Sequence, residues 1–160
     1  MQFRSLHTPI GPLLLAADPQ GLRYVLFENG RDHARAKPGW EPDRGLLDEP
    51  VRQLTAYFHG KLRAFDLAVA PEGTAFQRGV WSELQRIPYG ETISYGALAQ
   101  RLGNPKAVRA VGLANGSNPI SIIIPCHRVI GSNGSLVGYG GGLATKEALL
   151  ALERGQRRLL

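Results

Sequence analysis

Ile120-Ser121-Ile122-Ile123-Ile124-Pro125-Cys126-His127-Arg128-Val129-Ile130 carries the chain's only cysteine at the end of an isoleucine-rich run. The β-branched residues of 120–124 read as a short buried strand, which Pro125 ends because proline has no N–H to continue a ladder. Residues 128–130 read as a further strand piece, with Ser132-Asn133-Gly134-Ser135 as the turn behind it. A rigid strand end presents a side chain reproducibly. A thiolate there is a soft nucleophile that a nearby imidazole, cations or a helix dipole can favour. Successive strand residues face opposite sides, so His127 reaches the sulfur only across a turn or a bridging water. The plain alternatives are an inert core cysteine and a structural histidine.

Working outward, residues 92–116 read as two short helices. The first, about Ser94 to Leu102, has Ala97, Leu98 and Leu102 as its inner stripe, with Gly103 at its end. The second opens with Asn104-Pro105, a cap followed by proline at the first helical position. Together they make a helix-turn-helix candidate. The second helix, Pro105-Lys106-Ala107-Val108-Arg109-Ala110-Val111-Gly112-Leu113-Ala114-Asn115-Gly116, is crowded with small residues. These suit either tight helix packing or close approach to a narrow DNA groove, and Arg109 is the long cation in their midst. Upstream, Thr74 with Gln77 forms a capping-box pattern, and Phe76, Val80, Trp81, Leu84 and Ile87 give a helical apolar face stopped by Pro88 and Gly90. Downstream, Gly138 to Gly142 reads as a flexible loop. A closing helix, Leu143 to Glu153, turns Leu149, Leu150 and Leu152 inward.

The N-terminal third reads as a short antiparallel meander over residues 2–8, Leu13 to Ala17 and Leu22 to Phe27, with Gly11-Pro12 and Asp18-Pro19-Gln20-Gly21 as turns. Residues 29–45 read as an exposed loop, and a helix is expected from about Glu49 to His59. Pro71-Glu72-Gly73 marks a boundary. The expectation is an α/β chain of the α+β kind: a small antiparallel sheet and helix over 1–70, packed on a mostly helical domain over 71–160.

Composition narrows the function. The 160 residues are 43% hydrophobic and 20% charged, as in globular proteins, and nothing resembles a signal peptide or a membrane span, so a cytoplasmic protein is expected. One cysteine excludes an internal disulfide and a multi-cysteine zinc site. Residues 1–70 carry 9 Lys/Arg and 8 Asp/Glu, whereas residues 71–160 carry 10 and 5. No acidic residue lies between Glu91 and Glu147, a span that holds Arg101, Lys106, Arg109, Arg128 and Cys126. That asymmetry favours a polyanionic partner over a merely solvated basic face. No glycine-rich phosphate loop sits between strand and helix, so no cofactor and no metal are expected. Glu72, Glu83, Glu91, Glu147 and Glu153 are the acids available to orient the imidazole, and composition does not choose among them.

Pro125-Cys126-His127-Arg128-Val129 resembles the active-site motif of the alkylguanine-DNA alkyltransferases, the methylated-DNA–protein-cysteine methyltransferases. Arg109-Ala110-Val111-Gly112 resembles that family's recognition-helix motif, and Asn118-Pro119 stands at its spacing before the cysteine. Ile93-Ser94-Tyr95, Gly141-Gly142-Leu143, Lys146-Glu147 and Leu150 also fit, as do Gln53, Tyr57, Phe58, Gly60 and Phe65 farther upstream. The likeness is dense over about 74–155.

The resemblance implies direct-reversal DNA repair. An alkyl group would pass from 6-O-alkylguanine in duplex DNA, with 4-O-alkylthymine as a second candidate, to Cys126 in one irreversible turnover after base flipping. Catalytic roles would fall to Cys126 as acceptor, to His127 drawing off its proton through a water, and to Glu153 polarising His127. Asn118 would hold the turn. Minor-groove DNA binding would use Arg109 in the stack, Tyr95 on a phosphate, and Ala110, Gly112 and Asn115. Tyr139, Gly140 and Val129 would form the base pocket, Tyr139 donating to the guanine oxygen. The protein would act as a monomer, with cooperative assembly on DNA left open and no membrane involved.

Three departures stand out. Gly140 follows the pocket tyrosine where many relatives carry a polar residue. A structural zinc held by thiolates, as in some relatives, is impossible here. Cysteine-free relatives bind alkylated DNA without reacting, and Cys126 separates this chain from them. The rival readings are a multi-turnover Cys-His-Glu hydrolase and a non-catalytic sensor of alkylated DNA.

Overall fold

The computed structural model describes residues 1–31 and 33–155; position 32 of the expected loop and residues 156–160 of the expected C-terminal domain lie outside the described residues. Strands β1 (Gln2–Leu6), β2 (Leu13–Asp18) and β3 (Gly21–Phe27) form the expected antiparallel meander. Position 21 needs glycine: its φ is +143°, and a Cβ there would lie 2.7 Å from the Ala68 carbonyl oxygen. The sheet gains a strand that the loop reading missed. β4 (Glu41–Pro42) pairs in parallel with β1, giving the order β3-β2-β1-β4. The segment before it also folds back, so it is not simply an exposed loop. Trp40 packs on Phe3 and Tyr24, which flank Ala16 in register, and Ala16 is fully buried. With one sheet face on the core and the other under Trp40, the central strand β2 is buried from Leu13 to Ala17.

Helix α1 (Asp48–Phe58) buries Gln53, Leu54, Tyr57 and Phe58. The Gln53 amide both donates to and accepts from the backbone of Asp66, holding the segment that follows α1 against it. Helix α2 (Ala75–Leu84) begins with the predicted reciprocal cap, Thr74 accepting from Gln77 N–H and the Gln77 side chain accepting from Thr74 N–H. Helix α3 (Tyr95–Arg101) is capped by Ser94. Helix α4 (Val108–Gly116) starts later than Asn104-Pro105 suggested. Asn104 instead takes part in a turn, its carbonyl accepting from Ala107 N–H, and Ala107 caps α4 without a side-chain bond. Trp81 of α2 donates its indole N–H to the Ala114 carbonyl of α4 at 2.8 Å, fixing the helix-turn-helix on the core. Helix α5 (Leu143–Glu153) closes the chain as expected.

The strand expected at 120–124 does not form. Ile120 makes a single bridge to Val25, and Ser121 N–H donates to the Val25 carbonyl. The chain then turns on itself, with Ile123 N–H reaching Ser121 O at 2.8 Å and Ile124 N–H reaching Ile120 O at 3.0 Å. Ile122, at φ +73°, sits in a left-handed conformation that is strained for a β-branched residue. Asn118 is the physical reason. Its amide accepts from Ile120 N–H and donates to Ile124 O, two groups that an extended strand would hold about 13 Å apart. The strand piece at the other end is real: β6 (Val129–Ile130) pairs in parallel with β5 (Ile93–Ser94). One apolar cluster joins β2 and β3 to α1, α2, α4, α5 and the 120–129 turn, so the sheet and the helices share a core.

Candidate active site

Cys126 opens a 3-10 turn, Cys126–Arg128, instead of ending a strand. Its N–H bonds back to Ile124 O across Pro125, and Asn115 donates to its carbonyl at 3.4 Å. The sulfur is nearly enclosed yet lines a cavity of about 800 Å³. The walls of that cavity come from three places: Tyr95, Arg109 and Gly112 of the helix-turn-helix, Val137 to Gly140 of the glycine loop, and Phe27 with Arg31 from the end of β3. Burial pushes the Cys126 thiol up, and the Asn118 side chain and the Lys146 ammonium oppose that rise without cancelling it. The thiolate is therefore not a resting species of the free protein, contrary to the simplest expectation from a neighbouring histidine and cations.

Behind the turn lies a fully buried polar network. His127 Nε2 meets Glu153 Oε2 at 2.7 Å, while His127 Nδ1 has no protein partner. Arg128 donates from Nε to Glu153 Oε1 at 2.7 Å and from Nη2 to Oε2 at 3.1 Å, and its Nη1 donates to Ile87 O. Tyr57 of α1 donates to Glu153 Oε2 at 2.6 Å. Burial alone would raise the Glu153 carboxyl, but the bonds from His127 and Arg128 outweigh it and hold the group well below the usual carboxylate range. With Glu153 anionic, the His127 proton sits on Nε2 and its Nδ1 lone pair is free. Burial holds His127 below the usual imidazole range despite the attraction of Glu153, so the ring is neutral at neutral pH. It is a base of fixed tautomer.

The cavity's far wall carries a second unpaired group. The Tyr139 ring is only half-buried, but its hydroxyl is enclosed, has no protein hydrogen-bond partner, and is pushed well above the ordinary phenol range chiefly by burial. The ring is wedged edge-on between Phe27 at 5.5 Å and His127 at 6.4 Å. Lys146, fully buried, donates to the carbonyls of Val129, Val137 and Gly138, which ties the glycine loop to α5.

The structure thus brings Cys126, His127, Asn118 and Glu153 into one place, with Tyr139 and Gly140 on the cavity wall. Arg109 and Ala110 are exposed on α4, and Gly112 lies half-buried under the Tyr95 ring. Tyr95 donates to the Val137 carbonyl at 3.2 Å, placing it between α4 and the glycine loop. Two residues differ from expectation. Asn115 is buried and bonded to the Cys126 carbonyl, so it faces the turn and the cavity, not an outer DNA-contacting face. Val129 is fully buried in β6 and is absent from the cavity wall; its carbonyl serves Lys146. Arg128 and Tyr57, both on the carboxylate, went unassigned from the sequence. The acid-free basic span was a signal for Arg128, but nothing local marks Tyr57, 96 residues from Glu153.

A family model described as the 6-O-methylguanine DNA methyltransferase DNA-binding domain matches residues 75–155, and the same family's ribonuclease-like domain matches residues 1–71. The chain belongs to the 6-O-methylguanine DNA methyltransferase family. Its enzyme class is that of the methylated-DNA–protein-cysteine methyltransferases, as whole-length relatives show. The Methanosarcina acetivorans protein of that name is 54% identical over 153 residues, covering 96% of this chain and 98% of its own. The Mycobacterium tuberculosis protein of that name is 49% identical, with 98% and 94% covered. Among solved structures, Mycobacterium tuberculosis OGT in complex with DNA superposes with a TM-score of 0.91 at 49% identity, over 98% of this chain and 94% of that one. An O6-methylguanine DNA methyltransferase from Methanococcus jannaschii does so at 0.68 and 26%, over 96% and 93%. These relatives are DNA methyltransferases acting in DNA repair, the Mycobacterium tuberculosis protein is seen with DNA bound, and the present chain shares their architecture over nearly all of its described residues.

Proposed function

We propose that this methyltransferase removes the alkyl group from 6-O-alkylguanine in duplex DNA by transferring it to Cys126, once per molecule. The observation that carries the reading is the arrangement of Cys126 on the cavity wall with a neutral, tautomer-fixed His127 behind it and an unpaired Tyr139 hydroxyl across from it. The His127 Nδ1 lone pair accepts the thiol proton through a water, which suits a buried polar atom without a protein partner. The thiolate attacks the alkyl carbon, a carbon–sulfur bond forms as the carbon–oxygen bond breaks, and the electron pair goes to the guanine oxygen. Tyr139 donates to that oxygen, stabilising the leaving group. Glu153 and Arg128 keep the charge paired when His127 becomes imidazolium.

The thioether product has no easy leaving group, and the chain has no second thiol to displace it, so the reaction ends there. A cavity of about 800 Å³ suits a purine swung out of the helix, at a cost of a few kcal/mol that is lowest for a mispaired base. Arg109, exposed at the cavity mouth, fills the vacated stack, and the small residues of α4 let it enter the narrow minor groove. Residues 1–70 and 71–160 act as a supporting and a reacting domain.

Cys126→Ala tests the assignment. It retains affinity for an alkylated duplex and leaves the lesion in place; a variant that still cleared the lesion would refute the role of the sulfur.

A further inference from the structure

Glu153 is held from both halves of the chain. His127 and Arg128 approach it from the cysteine turn, and Tyr57 approaches it from α1 of the N-terminal sheet-and-helix segment. Tyr57 is fully buried, its phenol is pushed well above the ordinary range by burial and then by Glu153, and its ring is packed between Phe58, Phe65 and Tyr89. Its hydroxyl and the His127 ring nitrogen converge on the same oxygen, Oε2, at 2.6 and 2.7 Å. With Arg128 Nη2 at 3.1 Å, three donors share that oxygen and compete for its charge. We infer that Tyr57 is a positioning residue for alkyl transfer, through which the N-terminal segment sets the orientation and strength of the Glu153–His127 bond. This inference rests on the transfer reaction proposed above.

The consequence has a sign. Charge that Oε2 shares with Tyr57 is not available to stabilise an imidazolium, so the Tyr57 bond keeps His127 a weak, unprotonated base. The other groups facing His127 are Glu153 and Lys146 from α5, Cys126 and Arg128 from its own turn, and Tyr139 from the glycine loop. None of these changes when the Tyr57 hydroxyl is removed. Loss of that hydroxyl therefore strengthens the Glu153–His127 bond and raises the pH at which His127 takes up a proton.

Tyr57→Phe keeps the ring and removes the bond. Two readouts apply to the full chain: the pH profile of single-turnover transfer from an O6-methylguanine duplex, and the titration of His127 by nuclear magnetic resonance without DNA. The acid limb of the profile and the His127 titration should both move up by about one pH unit, the size expected when a bond to a buried carboxylate is lost. Duplex affinity should be unchanged. Fluorotyrosine at position 57, a stronger donor of the same shape, should move both readouts down. Val51→Ala, a loosening of the same helix more than one turn away from Tyr57, should lower the melting temperature and move neither. The inference is overturned if Tyr57→Phe slows transfer equally at every pH, or if Val51→Ala shifts the titration as far. A wild-type chain that fails to take up the methyl group would instead sink the proposed reaction, and the His127 titration would still report on Tyr57.

Discussion

Helices α4 and α5 are similar in length and flank the same cysteine, yet they treat charge in opposite ways. α4 leaves Val108, Arg109, Ala110 and Leu113 exposed, and its buried side is Val111, Ala114 and Asn115. α5 buries a lysine and a glutamate and leaves Glu147 to solvent. An exposed cation amid small residues fits the contact with DNA proposed above. Buried, bonded charges answer to partners inside the protein, Lys146 to loop carbonyls and Glu153 to the network behind Cys126. The contrast implies that the two helices fail differently when altered.

The largest effect belongs to α5. Glu153→Gln should slow transfer by about a hundredfold or more, because His127 loses its orienting charge. It should also destabilise the chain by about 3–5 kcal/mol in denaturant unfolding, because Arg128 is left buried without a counter-charge. Next is Lys146→Met, which leaves the buried Val129 carbonyl without a donor and removes the lysine's bonds to Val137 and Gly138; it should cost about 1–3 kcal/mol while loosening the loop that carries Tyr139. On α4, Arg109→Ala should change stability by under about 0.5 kcal/mol. It should slow repair of a duplex by about tenfold or more and of single strands far less, since only a duplex has a stack to fill. Equal slowing in both would remove the stack-filling role.

The smallest effect is a pH dependence confined to the α5 side. His127 titrates lower in the folded chain than in the unfolded one, so the unfolded chain takes up that proton first on acidification. Stability should thus be full above about pH 6.5 and decline below it. Glu153, also depressed, adds a second decline below the ordinary carboxylate value of about 4.5. Thermal melts across that range should show both, and His127→Asn should erase the first and shrink the second.

The same contrast explains what the sequence revealed. Elements set by local rules were legible: the Thr74–Gln77 cap, the helices α1 and α3, and the turns of the meander. The α4 surface was legible too, because exposed residues answer to nothing distant. Misreadings arose where tertiary bonds overrule local preference. Four isoleucines over 120–124 favour a strand, but the single Asn118 amide closes them into a turn and drives Ile122 to positive φ. The two-residue strand β4 is defined only by its partner β1. The motif around Cys126 named His127 and, by resemblance, Glu153, but Arg128 was given no role and Tyr57 was hidden by distance. Tyr57 meets its carboxylate across 96 residues, and Asn115 turned inward though it lies on the helix expected to face DNA.

The central claim is that the Cys126 sulfur takes up the alkyl group and keeps it. The most direct measurement is the mass of the intact chain after incubation with excess O6-methylguanine duplex. The account predicts a gain of one methyl group per molecule, located on Cys126, with lesion loss stopping at one equivalent. Lesions erased in many-fold excess by a chain of unchanged mass would contradict it.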